Sequence, residues 1–135
     1  MIETLARPAA LLVTAWLFGG MLLFAAGFAA FLFQVLPVHE ARTLIRKAFP
    51  PFYLFVIGTA ALAAVPLVAT DRPAALLLAA IALTTVPTRQ LLMPAINRAT
   101  DRGDRRRFAV LHGVSVLITL GHIAVAGAVL VRLAG

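Results

Sequence analysis

The stretch PAALLVTAWLFGGMLLFAAGFAAFLFQVL, residues 8–36, runs for 29 positions without a charge. A helix rising ~1.5 Å per residue needs about 20 residues to cross ~30 Å of hydrocarbon, so this run can span a bilayer with tilt to spare. Pro8 suits a helix start, and Pro37 ends it. The run is about twice as long as the roughly 7–15-residue core of a secretory signal, and the leader before it carries one Glu and one Arg. A retained helix is expected.

Three more uncharged runs follow, at 48–70, 73–88 and 108–131. The second opens on Pro50 and Pro51 and is broken near its far end by Pro66. The third has only 16 residues, about 24 Å of helix, which is too short to cross. It must continue through Arg89 and Gln90 toward Met93 and Pro94, which places a guanidinium inside the span or at its edge. The spans are rich in Ala and Leu and show no alternation of polar and apolar residues, so strands are not expected. The predicted fold is all-α: a four-helix integral membrane bundle forming one transmembrane domain over 1–135. Its helices fall near 8–36, 50–69, 73–94 and 108–132, joined by basic loops at 37–49 and 95–107.

Composition agrees. Of 135 residues, 62% are hydrophobic and 13% charged, against roughly 45–50% and about 25% in an average soluble domain. The mean hydropathy is +1.00. The absence of cysteine removes disulfide frameworks, thiolate metal sites and cysteine nucleophiles. No glycine-rich phosphate loop is present, and no hydroxyl has an adjacent base and acid in a nucleophile motif, so no catalytic residue is assigned.

Orientation follows from the basic residues. Arg42, Arg46, Lys47, Arg98, Arg102, Arg105, Arg106 and Arg107 lie on one side, and Arg7, Arg72 and Arg132 on the other. The positive-inside rule puts both basic loops in the cytoplasm and both termini outside. The formal charge of +7 sits mostly there. Stacking aromatics are absent from these loops, so nucleic acid is not the expected partner. Anionic lipid headgroups are, with Arg42, Arg46, Lys47, Arg105, Arg106 and Arg107 as contacts. In the first loop Val38, Ala41, Leu44, Ile45 and Ala48 recur at helical spacing, which predicts a short amphipathic helix lying in the headgroup plane.

The two hairpins also resemble each other. Gln34-Val-Leu-Pro37, a basic loop and Phe49-Pro-Pro-Phe-Tyr53 parallel Gln90-Leu-Leu-Met-Pro94, a basic loop and Phe108-Ala-Val-Leu-His112, which equates Tyr53 with His112. A true duplication would place a pseudo-twofold axis along the membrane normal, with polar residues meeting near it.

Polar groups inside spans are expensive and usually face the bundle interior. His112, Ser115, Thr119 and His122 fall on one narrow face of the last helix, and Thr85, Arg89, Met93 and Asn97 recur every four residues on the third. Facing each other they would form a polar seam, with Tyr53 and Gln34 as further members. The histidines read either as ligands or proton carriers, or as core residues bonded to a neighbouring helix. Ten residues, about 15 Å of helix, separate them, so they cannot share one metal ion. A haem b would use His112 or His122 with Met21, Met93 or Tyr53 opposite. Arg89 either snorkels to a nearby helix end or turns inward to an anion. Gly19, Gly20 and Gly27 read as close-packing positions, Trp16 and Tyr53 as interfacial residues, and His39 with Glu40 as a solvated pair rather than a metal site.

The stretches FAAGFAAFLFQVLPVHEARTLIRKAFPPFY and PTRQLLMPAINRATDRGDRRRFAVLHGVSVL, in that order, resemble the transmembrane-protein-205-like domain family. The resemblance implies a four-helix membrane protein without settled activity among bacterial members. Its signature positions here would be Phe49, Pro51, Tyr53, Arg89, Pro94, Phe108, His112 and Ser115. The polar insertion of vertebrate members between the last two helices is absent. More distantly the architecture is similar to copper-resistance D type and haem-containing protoporphyrinogen oxidase J type bundles. The first helix here lacks the histidine of those haem proteins, and only Met21 and Met93 offer soft ligands within spans.

The expectation is therefore a non-enzymatic protein of the bacterial inner membrane. Its polar seam would bind or pass a small solute, or serve a membrane complex or homo-oligomer as a subunit, with haem or copper handling as alternatives.

Overall fold

A computed structural model describes residues 2–135, with side chains from residue 4 onward. The first span comprises α1 (Ile2–Leu22), a π-helical segment (Leu23–Phe28) and α2 (Ala29–Val35). The second is α3 (Val38–Ala64), closed by a 3-10 turn at Val65–Leu67. The third comprises α4 (Arg72–Pro87), a second π-helical segment (Thr88–Leu92) and α5 (Met93–Asp101), and the fourth is α6 (Arg105–Ala134). Among the described residues there is no strand. The chain is a multi-pass, four-helix membrane bundle, as its uncharged runs predict.

Consecutive spans are neighbours, and the fourth returns to pack on the first. Local chemistry explains the turns. Asp71 caps α4, its Oδ1 accepting from the Ala74 N–H at 3.2 Å. Asp104 caps α6 by accepting from the Arg107 N–H at 3.0 Å. Leu36 is extended, as the residue before Pro37 must be. Gly103 takes φ +67° between α5 and α6, a conformation that a Cβ would strain.

Two expectations are corrected. Residues 37–49 are neither a loop nor a separate interfacial helix, because α3 starts at Val38. The stripe through Ala41, Ile45 and Ala48 continues into Phe52, Val56 and Ala60, so one helix face is buried or half-buried throughout. The third helix likewise runs on to Asp101, and most of 95–107 is helical. The second, third and fourth spans have 30 residues each, about 45 Å, and outreach ~30 Å of hydrocarbon. Basic side chains therefore stand on helical extensions.

Lipid tails are as apolar as leucine, so close packing rather than hydrophobic exclusion joins the spans. Ala10, Ala60, Ala63, Ala74 and Ala126 are fully buried and let backbones approach, while Leu12, Leu83, Leu117 and Val131 face outward. Of the three expected packing glycines only Gly20 meets another helix: a Cβ there would lie 2.6 Å from the Phe55 ring. Gly19 faces open space, and Gly27 meets only Leu23 of its own span. Gly127, against Phe18 at 3.2 Å, plays the expected part instead. Phe55 is held edge-on by Trp16, with ring centroids 5.4 Å apart. Gly20→Leu is expected to lower stability by about 1–3 kcal/mol through overpacking, measured by unfolding in detergent, whereas Gly19→Leu should change little.

Each end of the bundle is tied by charge. At the terminal end Arg132 bridges to Asp71 at 2.8 Å, and Arg7 donates to the carbonyls of Leu133 (3.0 Å) and Arg132 (3.1 Å). At the basic end Arg46 grips Asp101 through two bonds of 2.7 and 2.8 Å. The hydrogen bond from Arg132 holds the Asp71 carboxyl below the usual carboxylate range. A depressed acid stabilises the folded state above about pH 4 and loses that contribution as pH falls further. Between about pH 5 and pH 3 the melting temperature of the wild type should fall more steeply than that of Asp71→Asn; parallel curves would refute this assignment.

Candidate functional site

The third span decides where the polar residues go. Pro87 and Pro94 cannot donate to the carbonyls of Leu83 and Gln90, and between them the chain widens into the π-helical segment Thr88–Leu92. A π turn inserts one residue, which shifts the faces of the helix on its two sides relative to each other. Thr85 and Thr88 stay buried and border a cavity lined from the second and fourth spans alike. Arg89 meets the second span, where its Nε donates to the Pro50 carbonyl at 3.4 Å. The expected stripe is split: Thr85 borders one cavity, and Arg89, Met93 and Asn97 border another.

What remains of the seam is small. Met21, Tyr53, Thr85, Thr88, Thr119 and His122 line a cavity of about 10 Å³, the lower limit for one water molecule. Tyr53 and Ser115 are both buried. His122 Nε2 stands 2.8 Å from Thr84 Oγ1. That hydroxyl already donates to the Ala80 carbonyl at 2.6 Å, so the imidazole N–H is the donor between them. Thr84, not singled out above, is thus the histidine's partner; its place beside Thr85 and four residues before Thr88 was the available signal. Thr14, Thr59, Thr85 and Thr88 each donate to a carbonyl four residues back, so their hydroxyls need no ligand.

Two expected members lie outside the seam. His112 is exposed and lies flat on Phe108, with ring centroids 5.3 Å apart and planes at 7°. Gln34 is exposed on α2. Tyr53 and His112, equated by the hairpin comparison, therefore occupy unlike surroundings. A haem held inside the bundle does not fit these residues. His112 faces outward, and although His122 shares a cavity with Met21 and Tyr53, its about 10 Å³ is far below the ~300–1,000 Å³ of ligand pockets. Copper fits no better, because Met21 and Met93 border different cavities. Among the described residues no three His, Cys, Asp or Glu side chains gather as metal ligands.

The larger site lies at the basic end between the second and third spans. Arg46, Pro50, Arg89, Met93, Pro94, Asn97 and Arg98 border an open pocket of about 420 Å³, with Arg46 and Arg98 exposed. Arg89 is half-buried, and Asn97 follows two turns later. Among the described residues no carboxylate is in ion-pair contact with Arg89 or Arg98, whereas Arg46 is shared with Asp101. Arg98 was read above only as part of a basic loop, and nothing in its spacing set it apart. Arg42, Lys47, Arg105, Arg106 and Arg107 are exposed at the same end.

Residues 12–105 match the family described as "Domain of unknown function (DUF4149)". The chain belongs to that family. No curated protein and no solved structure matches the chain. All seven residues lining the arginine pocket fall within the family-matched stretch, while Ser115, Thr119 and His122 come after it.

The Thr84–His122 contact can be weighed by a double-mutant cycle. Thr84→Val and His122→Leu are each expected to destabilise the detergent-solubilised protein, with a coupling of about 0.5–1.5 kcal/mol. A coupling near zero would dissociate the two side chains.

Proposed function

We propose that this DUF4149 protein resides in the bacterial inner membrane and binds a small solute in the pocket formed by Arg46, Arg89, Asn97 and Arg98. The observation that carries this reading is a pocket of about 420 Å³, within the ~300–1,000 Å³ range of ligand sites, set beside a half-buried arginine without a carboxylate partner. An ionisable group at that depth is costly unless something offsets it, so it marks a binding locus by default. The seam between the third and fourth spans offers room for about one water molecule, which favours binding over passage.

The excess of arginine at the pocket end supports an orientation with that end in the cytoplasm and both termini outside. Exposed Arg42, Lys47, Arg105, Arg106 and Arg107 would rest against anionic headgroups there. Kinship to transmembrane-protein-205-like domains belongs to the same reading and rests on the two stretches quoted above. No catalytic role is part of it. Its lipid-facing surface is where a membrane complex or a second copy would join.

Because the chain has no native cysteine, single introduced thiols report the geometry cleanly. Asn97→Cys should react with a membrane-impermeant maleimide in inverted vesicles, and Thr70→Cys in right-side-out cells. The opposite pattern would reverse the orientation. An Asn97→Cys protein that reacts from neither side would remove the pocket.

A further inference from the structure

The lining of the arginine pocket is more selective than its size. Three guanidinium groups and one amide border it, the remaining walls are Pro50, Met93 and Pro94, and no carboxylate is among the lining residues. Arg89 borders it from within the π-helical segment Thr88–Leu92, with its Nε turned to the second span. Its one protein bond, to the Pro50 carbonyl at 3.4 Å, is long and engages a single N–H of the five a guanidinium carries. Arg98 brings a second charge with no ion-pair partner among the described residues.

Resting on the reading of this pocket as a binding site, we propose that its ligand is a phosphate-bearing anion, held by Arg89 and Arg98 with Asn97 as an amide donor. A carboxylate is satisfied by one guanidinium fork. A tetrahedral phosphate offers enough oxygens to take forks from several directions at once, and its charge suits more than one arginine. Arg89 is half-buried, so its bond to an anion is less screened than those of the exposed Arg46 and Arg98. At about 420 Å³ the pocket exceeds what a bare phosphate fills, so a phosphate ester also fits. The position at the basic end of the spans is where a phospholipid headgroup would lie, and equally where a soluble phosphate would enter.

Arg46 adds a competition that can be measured. Its guanidinium lines the pocket but is gripped by Asp101 through bonds of 2.7 and 2.8 Å. Ligand and Asp101 therefore compete for one donor. Removing the carboxylate frees Arg46 for the anion, an effect opposite in sign to a loss of packing.

The test uses the full chain in uncharged detergent. Calorimetric titration with inorganic phosphate, against acetate at matched ionic strength, reads the soluble source. Native mass spectrometry after reconstitution in phosphatidylcholine mixed with phosphatidic acid reads the lipid source. Preferential binding in either arm supports the proposal and names the source. Arg89→Gln should weaken that binding about ten- to a hundredfold. Asp101→Asn should tighten it, and Arg72→Gln at the far end should leave it unchanged. If phosphate binds no better than acetate and phosphatidic acid no better than phosphatidylcholine, the proposal is overturned. The same holds if Asp101→Asn weakens binding as much as Arg89→Gln. Should maleimide still label Asn97→Cys in that event, the pocket stands and only its phosphate chemistry falls.

Discussion

Hydrocarbon supplies no partner for a peptide N–H or C=O, and the whole molecule is arranged around that demand. Most of the backbone meets it within unbroken helix. Threonines inside the spans meet it too, returning their hydroxyls to carbonyls of their own helix. The exceptions are the interior prolines. Pro50 and Pro51 withhold donors from the carbonyls of Arg46 and Lys47, and Pro87 and Pro94 do the same to Leu83 and Gln90. Of these, Pro50 and Pro94 line the arginine pocket, so the site borders two places where helical bonding is incomplete.

Packing and charge divide the remaining work by depth. In the middle, alanines and Gly20 bring helices close enough for dispersion contacts that lipid alone would not drive. At the ends, where water returns, Arg46 with Asp101 joins the second span to the third, and Arg132 with Asp71 joins the fourth to the start of the third. Exposed pairs of this kind contribute little energy, typically about 0–1 kcal/mol. Their geometry is the larger contribution: each pins one helix end to another and so fixes how far the spans slide past one another.

Charge-free length was enough to read four helices, because hydrocarbon thickness admits few alternatives. The same logic showed that the third run had to absorb Arg89. Helix ends were harder to place, since charge marks where lipid stops and not where a helix stops: α3 begins among basic residues because the stripe through Ala41, Ile45 and Ala48 stays in phase with Phe52 and Val56. The site was only partly legible. Arg89 and Asn97 stood out as polar residues within or beside a span, and both border the pocket. Their partner helix did not, because spacing places residues on one helix face without saying which neighbour that face meets. His112 illustrates a different limit, as a ring placed on Phe108 satisfies its apolar faces on the helix surface without entering the bundle.

The expected seam resolves into two sites of unlike character. Thr88 and Arg89 are adjacent in sequence and so point about 100° apart: Thr88 borders the small cavity beside His122, and Arg89 borders the arginine pocket. The cavity beside His122 has room for about one water molecule and no carboxylate in its lining. A charge held there would lack both bulk water and a counter-ion, the costliest arrangement available to it. Arg89 instead borders a wider, more open site near the basic end, and the seam is left to neutral hydroxyls and one imidazole that neighbouring helices can satisfy. Charged and neutral polar groups thus take different faces of the third span, each where it can be satisfied.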